Sequence, residues 1–307
     1  MNYILRITNL VKKFGDKEVI SNVNMNVKKG EIYGFLGPNG AGKTTIMKMI
    51  LNLIKPSSGE IEIFGETLNF EAYETLKRIG SIIEYPVFYD KLTGRENLEL
   101  HCEYMGYYDK GAIDKAIELV NLKDIDNKAV KDFSLGMKQR LGIARAIITR
   151  PEFLILDEPI NGLDPIGIKE IRNLLKMLSK EYGITILISS HILGEIEQIA
   201  DTIGVINNGR LIEQVSMDSI RDQHTEYVEI ITKDCIRAAY ILENDLKISN
   251  FKILGDNTIR IYDLKLVQKD ISKTLILNGI NIEGINKKNS TLEDHFLKLL
   301  EGSDLSA

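Results

Sequence analysis

The chain has 307 residues, 44% hydrophobic and 27% charged, with a formal net charge of -5. That balance fits a well-cored protein of one large domain plus an appendage, or of two medium domains. It supplies neither the basic excess of a nucleic-acid binder nor a basic patch for an anionic membrane. Two cysteines, Cys102 and Cys235, make no disulfide framework and are not spaced as a metal site.

Residues 1–10 lack the apolar stretch of a signal peptide. Tyr3 to Leu10 and Val19 to Val27 alternate as strands do, Lys29-Gly30 makes a turn, and Ile32 to Leu36 is a short apolar strand. A Gly-rich loop follows, then a helical pattern from about Lys43 (Ile46, Met47, Ile50, Leu51). Pro56-Ser57-Ser58-Gly59 punctuates before a strand at Ile61 to Phe64. From about Glu96 to Arg150 the periodicity is helical, with Ile113, Ala116, Ile117 and Val120 on one face. A helix from about Met137 to Thr149 stops before Pro151.

Strand and helix then alternate again: Phe153 to Leu156, a helix near Gly167 to Glu181, a strand at Thr185 to Ile188, a helix near Leu193 to Ala200, and a strand at Ile203 to Ile206. Such alternation predicts an α/β core over 1–216 with a mainly parallel sheet and a helical insertion at about 86–150. The apolar runs are too short to cross a bilayer. From 217 to 307 a small α+β domain with an antiparallel sheet is expected. Its strands are Tyr227 to Thr232, Lys252 to Leu254, Ile259 to Tyr262 and Ile280 to Ile285, with helices near Ile236 to Asn244 and Lys265 to Leu277. A last helix opens on the capping box Ser290-Thr291-Leu292-Glu293, and its stripe Leu292, Phe296, Leu299 and Leu300 reads as packing on its own domain.

Chemistry enters with Gly37-Pro38-Asn39-Gly40-Ala41-Gly42-Lys43-Thr44, a full match to the phosphate-loop pattern between an apolar strand and a helix. Glycines let successive N–H groups wrap phosphate oxygens, and the helix N-terminus favours an anion. Lys43 reaches the β- and γ-phosphates, and the Thr44 hydroxyl suits Mg²⁺. Phe153 to Leu156 ends in Asp157-Glu158. A carboxylate at the C-terminal edge of a parallel sheet suits a metal (Asp157), and its neighbour suits a general base for water (Glu158).

Together these residues resemble the ATP-binding subunits of ATP-binding-cassette (ABC) transporters. Ser134-Leu135-Gly136-Met137-Lys138-Gln139-Arg140 looks like that family's signature motif, and Ser134 and Gly136 at a helix N-terminus suit a phosphate. Asn161-Gly162-Leu163-Asp164 resembles its D-loop, His191 its switch histidine that contacts the γ-phosphate, and Phe14 stands where the family has an aromatic ring against adenine. The resemblance covers about residues 1–215. It implies a phosphate-loop ATPase fold with a mixed sheet, and ATP with Mg²⁺ as ligands. It also implies a head-to-tail dimer of cassettes, identical or similar. Each ATP lies between Gly37 to Thr45 of one copy and Ser134 to Lys138 of the other. Integral membrane permease subunits, pushed through the groove beside the helical insertion, would hold the protein on the cytoplasmic face of the membrane. No nucleic acid and no direct membrane insertion are implied.

Two positions depart from the family. Leu135 replaces a glycine, and Glu84 stands where a glutamine is usual. Glu84 is expected to add a charge beside the metal, the γ-phosphate and Glu158, and to couple the ATP state to the membrane subunits while still touching the metal. Glu84, the Ser134 motif, the length and the ending Leu292-Glu293-Asp294-His295-Phe296 resemble the bacitracin-resistance and lantibiotic-immunity branch. The alternatives are an ABC-2 type exporter with another cargo and a soluble ABC ATPase without a transport role.

Overall fold

The N-terminal alternation forms two twelve-residue strands, β1 (Tyr3–Phe14) and β2 (Lys17–Lys28), which turn at Gly15 with φ 58°. This is a computed structural model, which describes residues 2–69, 71–109, 111–123, 125–222, 226–262 and 268–289. Leu5 and Ile7 of β1 and Val23, Met25 and Val27 of β2 are buried at alternate positions, and a register shift at Asn9 (φ 49°) brings Leu10 into the same core. Each such side chain contributes roughly 1.5–3 kcal/mol by leaving water.

The next elements are β3 (Ile32–Leu36), α1 (Lys43–Ile50), β4 (Ser58–Ile63), β5 (Glu66–Thr67), α2 (Tyr73–Lys77) and β6 (Ile79–Ile82). The helical insertion supplies α3 (Gly94–Met105), α4 (Ala112–Leu119) and α5 (Leu135–Ile147). Helix α3 starts on a capping box in which Thr93 and Glu96 exchange bonds, and Gly106 at φ 62° ends it. Then follow β7 (Phe153–Leu156), α6 (Pro165–Lys180), β8 (Thr185–Ser190), α7 (Leu193–Ile196), β9 (Thr202–Asn207), β10 (Arg210–Ser216) and α8 (Met217–Asp222).

Two sheets organise this first unit, which runs to Asp218. An antiparallel sheet has the order β2-β1-β4-β5, and a six-stranded sheet the order β10-β9-β3-β8-β7-β6. In the second sheet β6, β7, β8, β3 and β9 are parallel and β10 is antiparallel. Every residue of β3, β7 and β8 is buried, as expected for strands covered on both faces. The register pairs Leu36 with Ser190, Ile188 with Leu156, and Leu156 with Ile82. The loops leaving β3, β6, β7 and β8 therefore open at one edge.

The second compact unit begins at Ser219. It contains β11 (Glu226–Ile231), α9 (Cys235–Asn244), β12 (Phe251–Leu254), β13 (Thr258–Ile261), α10 (Gln268–Leu277) and β14 (Gly284–Asn289). Its antiparallel sheet has the order β12-β13-β11-β14. Val228, Ile230, Ile259 and Ile261 pack with Ala238, Leu242, Ile271 and Leu275 of the two helices.

Local details differ from the sequence reading. Ile280 to Ile285 is not one strand. Gly279, at φ 77°, ends α10, Ile280 N–H returns to Leu275 O, and Ile280 enters the core; the strand starts at Gly284. Helix α7 is shorter than expected, and the residues after it form a turn in which Ile199 and Ala200 N–H both return to Ile196 O ahead of β9. Strands β6 and β10 had no distinct sequence signal. The helix predicted from Ser290 lies outside the described residues, as does residue 265, where α10 was expected to begin.

Candidate functional site

The phosphate loop leaves β3 and enters α1. A Cβ on Gly37 would overlap the Ile206 carbonyl, Gly40 has φ 80°, and Gly42, at φ 107°, has Ile20 against it. Only glycine satisfies these three positions. Helix α1 carries no acidic residue in its first turn, so no carboxylate of the helix itself offsets the partial positive charge of its N-terminus. Lys43 is 5% exposed, and its Nζ donates to Gly37 O at 2.7 Å and Pro38 O at 3.1 Å. Glu158 Oε1 lies 3.4 Å from the same nitrogen. Asn39, Thr44, Thr45 and Glu158 line the pocket beside it, with Ala41 buried beneath.

The two carboxylates after β7 are held in different ways. Asp157 is buried, accepts from Thr44 Oγ1 at 2.7 Å and Ser189 Oγ at 2.6 Å, and faces Glu84 N at 3.4 Å. Glu158 adopts φ 46°, an uncommon conformation for a residue with a side chain, and its N–H donates to Ser189 Oγ at 2.9 Å. Its Oε2 lies 2.8 Å from His191 Nδ1 and accepts from Asn161 Nδ2 at 3.4 Å. The Ser189 hydroxyl thus fixes Asp157 and orients the peptide that aims Glu158. Beyond His191, burial pushes the Glu195 carboxyl above its ordinary value, opposed by the Ser190 hydroxyl and the nearby His191.

Glu84 also has a positive φ, 63°. The structure brings its main chain to Asp157, while its carboxylate meets Lys48 Nζ at 2.7 Å. Phe14 closes β1 with its ring 51% exposed and Lys12 Nζ 4.8 Å from the ring centre.

The remaining predicted residues form a second cluster. Ser134 caps α5 by accepting from Met137 N at 3.2 Å, and Asp164 caps α6 by accepting from Gly167 N at 3.0 Å, with Pro165 opening that helix. Leu135 is 54% exposed and reaches Gly162, and Leu163 approaches Gly136. A groove of about 400 Å³ runs along α3, lined by Val87, Phe88, Tyr89, Asn97, Leu100, His101, Tyr104 and Arg145.

Sequence reasoning missed Lys48 and the role of Ser189, and it named Asn161 within the D-loop stretch without foreseeing its bond to Glu158. Lys48 had a signal, since it follows Thr44 by one helical turn and so shares its face. Ser189 had only the presence of small polar residues ending an apolar strand.

Comparisons with known proteins identify relatives over most of the chain. A family model described as ABC transporter matches residues 20–161. An uncharacterized ABC transporter ATP-binding protein of Bacillus subtilis (strain 168), YcbN, is 62% identical over 307 residues, 100% of both chains. The bacitracin transport ATP-binding protein BcrA of Bacillus licheniformis is 48% identical over 305 residues, 99% of this chain and 100% of that one. Among solved structures, a dimeric ATP-binding cassette in a post-hydrolysis state, bound to ADP and Pi, aligns with a TM-score of 0.63 at 27% identity. It covers 69% of this chain and 98% of its own.

Proposed function

The chain belongs to the ABC transporter ATP-binding family, and on that premise we propose that it powers export or membrane removal of a bacitracin-like peptide antibiotic through separate membrane subunits. It is an ATP-binding, ATP-hydrolysing cassette. The observation that carries the residue roles is the chain of hydrogen bonds Thr44–Asp157–Ser189–Glu158 beside the phosphate loop.

Lys43 and the N–H groups of Gly40 to Thr45 hold the phosphates, and Phe14 stacks on the base. The Thr44 hydroxyl and Asp157 carboxylate are hard oxygen donors side by side, and these two residues would hold Mg²⁺. Among the described residues no three His, Cys, Asp or Glu side chains gather around one point, so the protein offers a partial shell rather than a cage. Bound Mg²⁺ supplies neutralising charge to the phosphate oxygens. Glu158 Oε2 takes a proton from water as the water oxygen bonds to the γ-phosphorus and the bond to ADP breaks. His191 and Asn161 keep Glu158 aimed.

Ser134, Gly136 and Asp164 serve the ATP held by a second cassette. The dimeric arrangement of the solved relative supports that reading. Among the described residues no helix is long and apolar enough to cross a membrane. Attachment to the inner membrane face then comes from permease subunits docked in the groove along α3, where Tyr89 and Tyr104 are exposed.

Similarity to BcrA over nearly the whole chain supports the peptide-antibiotic cargo. The test is antibiotic susceptibility of cells that carry the chain with its permease, as wild type and as Lys43→Ala. A several-fold drop in bacitracin tolerance for Lys43→Ala is expected. Unchanged tolerance with hydrolysis abolished would assign the ATPase to another cargo.

A further inference from the structure

Helix α1 turns one face toward two acids. Thr44 and Lys48 are one turn apart and share that face. Thr44 Oγ1 bonds Asp157 Oδ2 at 2.7 Å, and Lys48 Nζ meets Glu84 Oε1 at 2.7 Å. The ring closes on its far side, where Glu84 N–H faces the same Asp157 Oδ2 at 3.4 Å. The Glu84 backbone, at φ 63°, is thus fixed beside the Thr44–Asp157 pair while its carboxylate lies on Lys48.

Electrostatics gives the arrangement a consequence. Asp157 and Glu158 already bring two carboxylates to the edge of the phosphate loop, and a triphosphate adds several more negative charges. A third free carboxylate, on Glu84, would oppose nucleotide binding through like-charge repulsion. Lys48 is the cation paired with it, and it belongs to the helix whose N-terminus opens on the loop.

We propose that Lys48 is the positioning residue for Glu84. It neutralises that carboxylate and holds it on α1, clear of the polyphosphate, so that Glu84 acts on nucleotide affinity through Lys48 and not as a standing metal ligand. The proposal rests on the reading of the phosphate loop as an ATP site. Breaking the pair should leave folding intact, because both side chains are partly exposed, 33% for Lys48 and 54% for Glu84.

The test is a double-mutant cycle on the full chain: wild type, Lys48→Met, Glu84→Gln and the double variant. The readout is the Kd for ATP in EDTA and again with Mg²⁺, with a thermal melt of each protein. Lys48→Met is expected to weaken ATP binding in EDTA roughly five-fold or more, and by less than about two-fold when Glu84 is already Gln. Lys48→Arg should bind as wild type does, and all the melts should coincide. The wild-type Kd separately tests the ATP reading. Equal losses from Lys48→Met in both backgrounds, or no loss in either, would overturn the role of Lys48 and leave that reading standing.

Discussion

On the phosphate-loop side of the site, each chemical side chain is held by a residue distant in sequence. Lys43 meets Glu158, Thr44 bonds Asp157, Asp157 bonds Ser189, and Glu158 meets His191. On the Ser134 side the supports are local. Ser134 takes the N–H of Met137, and Asp164 takes that of Gly167. The first cluster exists only when three neighbouring parallel strands, β3, β8 and β7, end in register, so it reports on the sheet edge. The second is two helix caps with an exposed leucine, a self-sufficient surface presented outward.

The contrast fixes an order of mutational effects. The largest belongs to Glu158→Gln, which keeps the shape of the network and removes the base. ATP hydrolysis should fall by ~10²-fold or more with ATP binding retained. A steady-state phosphate-release assay checks this, and an unchanged rate would remove Glu158 from the chemistry.

Next comes Ser189→Ala. It deprives the buried Asp157 carboxylate of a donor and the Glu158 N–H of its acceptor. A loss of ~1–3 kcal/mol in denaturant unfolding is expected, together with slower hydrolysis. If Ser189→Ala cost no more than Ser134→Ala, the claim that the loop side is the more tightly coupled half would break.

Ser134→Ala should cost ~1 kcal/mol, the ordinary worth of a helix cap. Leu135→Ala is the smallest, within about 0.5 kcal/mol, as for an exposed side chain. A cost of several kcal/mol at Leu135, measured by the same unfolding curve, would mean that this surface is part of the core.

The same contrast explains what the sequence revealed. Features with local causes were legible: the glycines of the loop, the Ser134 cap, the Asp157-Glu158 pair after an apolar strand, and the strand–helix alternation of the parallel sheet. Ser189 was not legible as a partner of Asp157, because that depends on pairing Leu156 with Ile188 across β7 and β8. The Glu84–Lys48 contact depends on where β6 ends relative to α1. In the second unit, the alternation of Ile280 and Ile282 reads like a strand, yet both pack as the exit of α10. Periodicity alone does not separate those two fates.

The central claim is that Ser134 serves the ATP bound by another cassette. Its direct test is sedimentation of Glu158→Gln, alone and combined with Ser134→Ala, at saturating ATP. The account predicts a dimer for Glu158→Gln, and for the double variant a monomer that still binds ATP. A Glu158→Gln protein that stays monomeric, or a double variant that dimerises equally well, would contradict it.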